Sequence, residues 1–204
     1  MKPDDVENSR ETLVSTLIQE EYWMLNFMEL VNLRQSVRQY ADRPVEREKI
    51  QRCLEAARLA PSACNSQPWK FIVVDDPELT KAVALKTFGK VVSFNHFTLQ
   101  VPVFILIISE PPNVTAKFGA IVKNRPLHLI DIGIAAIQFC LQAVQEGLGT
   151  CMLGWFDEKP IKQLLHIPPT KRLDLIITLG YPESNEIRSK TRKTLDQIAS
   201  YNKY

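Results

Sequence analysis

No apolar run in this chain approaches the ~18 residues that a membrane span requires; the longest, Val101–Ile108, falls far short. Histidine and cysteine are scarce and scattered. His96, His128 and His166, with Cys53, Cys64, Cys140 and Cys151, form no CxxC pair and no metal-ligand spacing, so no metal site is expected and the cysteines read as reduced thiols of a cytosolic protein. Neither sign of charge dominates: 25 Lys and Arg stand against 23 Asp and Glu, a net +2. That excludes a strongly basic nucleic-acid binder and a polyacidic tail protein, but leaves room for a local small-anion site. GxSxG, HExxH and EF-hand loops are absent. The glycine-bearing stretch Gly147-Leu148-Gly149-Thr150-Cys151-Met152-Leu153-Gly154 satisfies neither nucleotide fingerprint. A dinucleotide loop needs a strand before the glycines and a helix after them, and here the order is reversed. A Walker loop needs Lys where Trp155 stands. A Rossmann unit of the chain's own is therefore not expected.

What is present is ordinary globular material: 204 residues, 45% hydrophobic and 24% charged, enough for one cored domain with an appendage. Residues 1–21 carry a net −4 and no apolar run, leaving +6 on the remainder. Such a start does not read as a secretory signal, and a cytoplasmic location is expected. Helical spacing of Leu13, Leu17, Ile18, Tyr22 and Leu25 predicts a helix over 11–33. Residues 1–26 read as a helical extension and 27–204 as the main domain. Arg34–Val45 reads as extended, Arg47–Ala60 as helix ended by Pro61, and Phe71–Val74 as a strand. One or two helices are expected within 78–100, and an irregular connection over 111–126. Val101–Ile108 suits a strand buried on both faces. Leu127–Glu146, apolar on nearly every face, reads as a central helix capped by Gly147. Cys151–Trp155 and Leu173–Leu179 read as extended, Pro160–Leu165 as a short helix, and 183–204 as a polar tail. The alternation indicates an α/β or α+β domain with helices on a central sheet.

Three segments are polar or basic in apolar surroundings. In the first, Arg34-Gln35-Ser36-Val37-Arg38-Gln39-Tyr40, strand alternation puts Arg34, Ser36 and Arg38 on one face. Two guanidiniums and a hydroxyl suit a phosphate or another dense array of acceptors; a solvated strand edge is the plain competing reading. The second, Pro61–Trp69, offers Ser62, Asn65 and Gln67 as polar groups and Ala63 for close backbone approach, against an ordinary turn after a helix. The third, Lys190-Thr191-Arg192, competes with a solvated basic tail.

Together these segments, with Glu146–Phe156 and Leu179-Gly180-Tyr181-Pro182, resemble the nitroreductase family of FMN-dependent oxidoreductases over roughly residues 27–200. The paired Arg-x-Ser-x-Arg and Asn-Ser-Gln-Pro-Trp motifs make the resemblance specific. It implies an α+β fold, a central mixed, mainly antiparallel sheet flanked by helices, in a homodimer whose C-terminal segments are exchanged and whose two FMN molecules lie at the subunit interface. By the family pattern Arg34 and Arg192 bind the FMN phosphate with Lys190 beside them. Ser36 contacts the phosphate–ribityl end, and Arg38 lies near the pyrimidine edge, tuning flavin N1/C2=O. Ser62, Ala63 and Cys64 come from the partner subunit, with Asn65 and Gln67 near the ribityl chain and ring. Met152, Leu153 and Gly154 pass over one ring face; Gln35 and Pro61 complete the cofactor-binding set. Gln35 stands where a second basic residue is frequent, and Cys64 where small or hydroxyl residues are usual.

The implied activity is hydride transfer from NADH or NADPH to nitroaromatic, quinone or related small-molecule acceptors by a ping-pong mechanism, with no nucleic acid or membrane partner. A non-enzymatic flavin-binding or storage protein, or a specialised member such as a reductive dehalogenase, shares the same cofactor site. Residues 84–126, which shape the substrate pocket in this family, carry no family signature, and His96 reads as a surface or core histidine.

Overall fold

Strand β2, Val103–Ser109, is enclosed from Val103 to Ile108, as an apolar run covered on both faces should be. It is the axis of the computed structural model, which describes residues 25–89, 94–111, 113–115 and 125–204. On one side β2 pairs with β1, Trp69–Val74; on the other it pairs with β4, Arg172–Gly180, and β4 pairs in turn with β3, Gly149–Leu153. All three pairings are antiparallel, in the order β1-β2-β4-β3, with one irregularity between Ile107 and Ile108. The helices in chain order are α1 Phe27–Leu33, α2 Arg47–Arg58, α3 Pro77–Ala84, α4 Leu127–Gln145, α5 Glu158–Leu164 and the short α6 Leu195–Ile198. The architecture is α+β, a central antiparallel sheet with flanking helices, as expected.

Alternation along the strands divides the core in two. Val103, Ile105, Ile107, Ile177 and Leu179 face α2 and α4, where small side chains (Cys53, Ala57, Ala135, Ala136, Ala143) allow close helix approach. Phe104, Leu106, Ile176, Cys151 and Leu153 face the opposite layer with Val83 of α3 and Ile161 of α5.

Helix α4 is long and apolar enough to cross a bilayer by length and composition, but it packs between the sheet and α2 as a core helix. It ends as expected at Gly147, which takes φ 72°. The Leu148 N–H reaches Ala143 O at 2.7 Å and the Gly147 N–H reaches Val144 O at 2.9 Å, the paired bonds that satisfy a helix's last carbonyls. Its burial is one-sided, however: Leu129, Ile130 and Ile137 remain exposed.

The helix expected over 11–33 does not run through Asn26. That residue is extended at φ −76°, ψ 167° and closes a reciprocal cap with Glu29, so α1 starts afresh at Phe27. The extension over 1–26 falls almost wholly outside the described residues, as does most of the connection over 111–126. The expected extended segment from Arg34 is confirmed, lying along the free edge of β3: the Val37 N–H donates to Thr150 O at 2.9 Å in a parallel bridge of Ser36 with Thr150.

Candidate functional site

The edge segment is fixed from beneath. Tyr40 is buried, and its hydroxyl meets Thr178 Oγ1 at 2.6 Å and Val37 O at 3.0 Å. Val37 packs over the bare Cα of Gly149. With Val37 turned onto β3, alternation presents Arg34, Ser36 and Arg38 on the other side, where all three line one cleft; Tyr40, which shares their parity, departs from the alternation and turns inward at the end of the segment.

The C-terminal segment meets them there. Tyr40 bridges Pro182 antiparallel, the Ala41 N–H reaches Tyr181 O at 3.0 Å, and the Glu183 N–H reaches Gln39 O at 3.1 Å. Further on, the Gln35 side chain donates from Nε2 to Glu186 O at 2.8 Å and accepts from Arg188 at Oε1. The result is a cleft of about 330 Å³ lined by Arg34, Gln35, Ser36, Arg38, Arg188, Ser189, Lys190, Thr191 and Arg192. Five cationic side chains converge in it without a single carboxylate in the lining. Burial lowers the Lys190 pKa from its ordinary range, and the neighbouring Arg34 and Arg192 charges lower it further. A bound dianion would relieve that repulsion. The donor set therefore fits a phosphate monoester such as that of FMN.

Within the cleft, two of the expected residues are already hydrogen-bonded inside the chain. The Gln35 amide is spent on Glu186 and Arg188. The Lys190 ammonium donates to Val31 O at 2.9 Å and to Asn32 O, carbonyls at the C-terminal end of α1 where a cation is favoured. Arg188 was not among the expected residues. Its signal was available: 188, 190 and 192 alternate as Arg, Lys, Arg, which in an extended segment puts all three on one side.

The second expected group, Pro61 to Gln67, does not line this cleft. It forms a tight loop around a single 3-10 turn, Ala63–Asn65. Cys64, Asn65 and Gln67 all take left-handed backbone, at φ 53°, 49° and 47°. Such conformations cost on the order of 1–3 kcal/mol each and persist only where surroundings enforce them. The enforcers are visible. Ser62 Oγ accepts from the Gln67 N–H at 2.9 Å, Asn113 Nδ2 donates to Cys64 O at 2.8 Å, and Asp131 Oδ1 accepts from the Ala63 N–H at 3.1 Å. Asp131, buried on α4, was likewise not expected.

The third group lies at the end of β3. Met152 is half-exposed, but the Leu153 side chain belongs to the core, so Leu153 can offer a ligand only its backbone. Just beyond, exposed Trp155 makes an edge contact with Phe94 at 6.3 Å between ring centroids. His96 is a surface residue tilted against Phe88 at 4.1 Å. The cysteines are unpaired. Burial raises the pKa of the Cys53 and Cys151 thiols and raises that of Cys140 to about 11, which makes them poor nucleophiles at neutral pH. No group of three metal-ligating side chains occurs among the described residues.

Comparison with known proteins agrees with this fold. The model of the nitroreductase family matches residues 31–181; the basic residues 188–192 lie beyond the match. A protein of Archaeoglobus fulgidus, named as an NADH dehydrogenase/NAD(P)H nitroreductase, is 31% identical over 163 residues, covering 78% of this chain and 87% of its own. A nitroreductase family protein from Clostridium novyi NT superposes with a TM-score of 0.70 at 29% identity, over 81% of this chain and 89% of its own. An FMN-dependent nitroreductase from Clostridium difficile R20291 superposes with a TM-score of 0.71 at 27% identity, over 87% of this chain and 100% of its own.

Proposed function

The chain belongs to the nitroreductase family, a class of FMN-dependent NAD(P)H oxidoreductases, and on that premise we propose that it transfers hydride from NADH or NADPH to nitroaromatic, quinone or related acceptors at one shared site, in ping-pong order. One observation carries the reading: the carboxylate-free cleft in which Arg34, Arg38, Arg188, Lys190 and Arg192 converge. Bound FMN supplies the hydride chemistry, and the protein supplies position and charge. Arg34 and Arg192 hold the phosphate, and Ser36 hydrogen-bonds beside them. Arg38 places a fixed positive charge at the pyrimidine edge of the ring, where it favours added negative charge at N1/C2=O. Met152, Leu153 and Gly154 cover one ring face and leave the other open to donor and acceptor in turn.

The proposal includes a homodimer. The strained 61–67 loop lies outside the cleft of its own chain, and a second copy brings Ser62, Ala63, Cys64, Asn65 and Gln67 to it. Apolar side chains exposed on three elements support this: Phe27 and Met28 on α1, Ile130 and Ile137 on α4, and Leu195 and Ile198 on α6. Such patches mark association surfaces, and the last fits a C-terminal segment that crosses onto the partner.

Anaerobic mixing of the FMN-loaded protein with NADH or NADPH tests the activity. Bleaching of the flavin band by either donor supports it. A tightly held flavin that neither donor bleaches favours a flavin-storage protein instead.

A further inference from the structure

Gln35 commits its whole side-chain amide to the C-terminal segment. Nε2 donates to Glu186 O at 2.8 Å, while Oε1 accepts from the Arg188 N–H at 3.3 Å and from Arg188 Nε at 3.2 Å. One terminal nitrogen of the same guanidinium donates to Ser36 O. A guanidinium has five N–H donors in a rigid plane, so these bonds orient Arg188 and still leave three donors. The cleft it shares with Arg34, Arg38, Lys190 and Arg192 holds no carboxylate that could take them; Glu186 lines only the adjoining cleft on the other side of Arg188. Lys190, two residues on, is in the opposite situation, with its ammonium turned to the α1 carbonyls Val31 O and Asn32 O.

From this contrast we propose that Arg188 is a phosphate-binding residue of the cleft and that Gln35 is the residue that positions it. The assignment rests on the FMN reading above and deepens it. A guanidinium already clamped by Gln35 and Ser36 loses little further freedom when an anion arrives, which favours tight binding. The neutral amide at 35 is thereby part of the anion site without touching the anion. The competing role for Arg188 is a staple that merely holds the C-terminal segment on the edge strand. A staple would act on the phosphate only through Lys190 and Arg192 further along the segment, so its effect would vanish once Arg192 is removed, whereas a direct phosphate ligand costs FMN affinity in that background too and leaves riboflavin binding alone.

The test is equilibrium binding of FMN and of riboflavin to the full-length apo-protein, followed by flavin fluorescence, for the wild type and for Arg188→Ala, Arg188→Lys, Gln35→Ala, Arg192→Ala and the Gln35→Ala/Arg188→Ala and Arg188→Ala/Arg192→Ala double variants. Arg188→Ala should weaken FMN binding about tenfold or more, the scale of one charge-assisted contact, both alone and in the Arg192→Ala background, and leave riboflavin binding unchanged. Arg188→Lys should recover part of the loss, because the charge returns without the clamped plane. Gln35→Ala should weaken FMN binding less, and should add nothing in the Arg188→Ala background. Wild-type FMN affinity in Arg188→Ala, no further loss when it is added to Arg192→Ala, or equal losses of FMN and riboflavin, would overturn the assignment while leaving the FMN reading intact. A wild-type protein that takes up no FMN overturns that reading and this assignment with it.

Discussion

Val37 sits so tightly on Gly149 that a Cβ added to the glycine would stand 2.6 Å from Val37 Cγ2. This contact sets the height of the whole edge segment above β3, and therefore where Arg34, Ser36 and Arg38 stand. Gly149→Ala should lift the segment, weaken the Ser36–Thr150 bridge and destabilise the protein by about 1–3 kcal/mol, the usual cost of overpacking. Flavin affinity should fall with it. Adding Val37→Ala should restore only part of both, because the Cβ at position 37 would still stand 2.8 Å from the new methyl, measured by thermal unfolding and FMN titration of the two single variants and the pair.

Arg34 and Arg38 should fail differently. Arg34→Ala removes a phosphate partner and should weaken FMN binding by about 10- to 150-fold, for ~1.5–3 kcal/mol of charge-assisted hydrogen bonding, with the midpoint potential of the bound flavin nearly unchanged. Arg38→Ala should lower that potential and slow reduction by the nicotinamide even at saturating FMN. Spectroelectrochemical titration checks both; an unchanged potential and reduction rate in Arg38→Ala would reduce Arg38 to a binding or structural residue.

A pH dependence follows from Glu146, whose carboxylate is buried at the end of α4 and receives Arg52 through two bonds of 2.7 Å. Burial alone would raise its pKa, but the bonds from Arg52 and Gln142 with the nearby Arg52 and Lys49 charges more than offset this and hold it below the ordinary carboxylate range. A carboxyl with a depressed folded-state pKa contributes stability that is present above its unfolded value and is lost as pH falls through its folded one. Glu146→Gln should therefore cost about 1–3 kcal/mol at pH 7. It should also flatten the loss of stability between about pH 5 and pH 2. Urea unfolding across that range measures both.

Association should depend on α4. Light scattering should give twice the 23.3 kDa chain mass for the wild type. Ile137→Arg, on the exposed side of α4, should shift the protein toward monomer and lower FMN affinity, because the 61–67 loop would no longer reach a partner's cleft. A wild-type monomer with full FMN occupancy would contradict the dimer proposal.

Much of this arrangement was readable from residue pattern, where one local rule dominated. The apolar run around Phe104–Ile108 could only be a covered strand, and Gly147 could end α4 because left-handed backbone costs glycine little. Alternation placed Arg34, Ser36 and Arg38 on one side, opposite Val37. What escaped depended on distant contacts or on residues acting against type. Asn26 and Glu29 cap α1 inside a stretch whose apolar period runs on without interruption. Cys64, Asn65 and Gln67 adopt left-handed backbone with no glycine to announce it. Asp131 holds the Ala63 N–H from 68 residues away, and no local spacing reports such a bond. Arg188 sat within the alternation of the basic tail, but its role depends on Gln35, 153 residues away in the chain.

The central claim is that the cationic cleft between residues 34–38 and 188–192 grips the phosphate of FMN. The most direct measurement is titration of the wild-type apo-protein with FMN and with riboflavin under the same conditions. The two ligands share a ring and ribityl chain and differ only in the phosphate. FMN should bind at least about a hundredfold more tightly, as two or more charge-assisted contacts require. Equal affinity for the two flavins would show that the cleft does not hold the phosphate and would contradict the account.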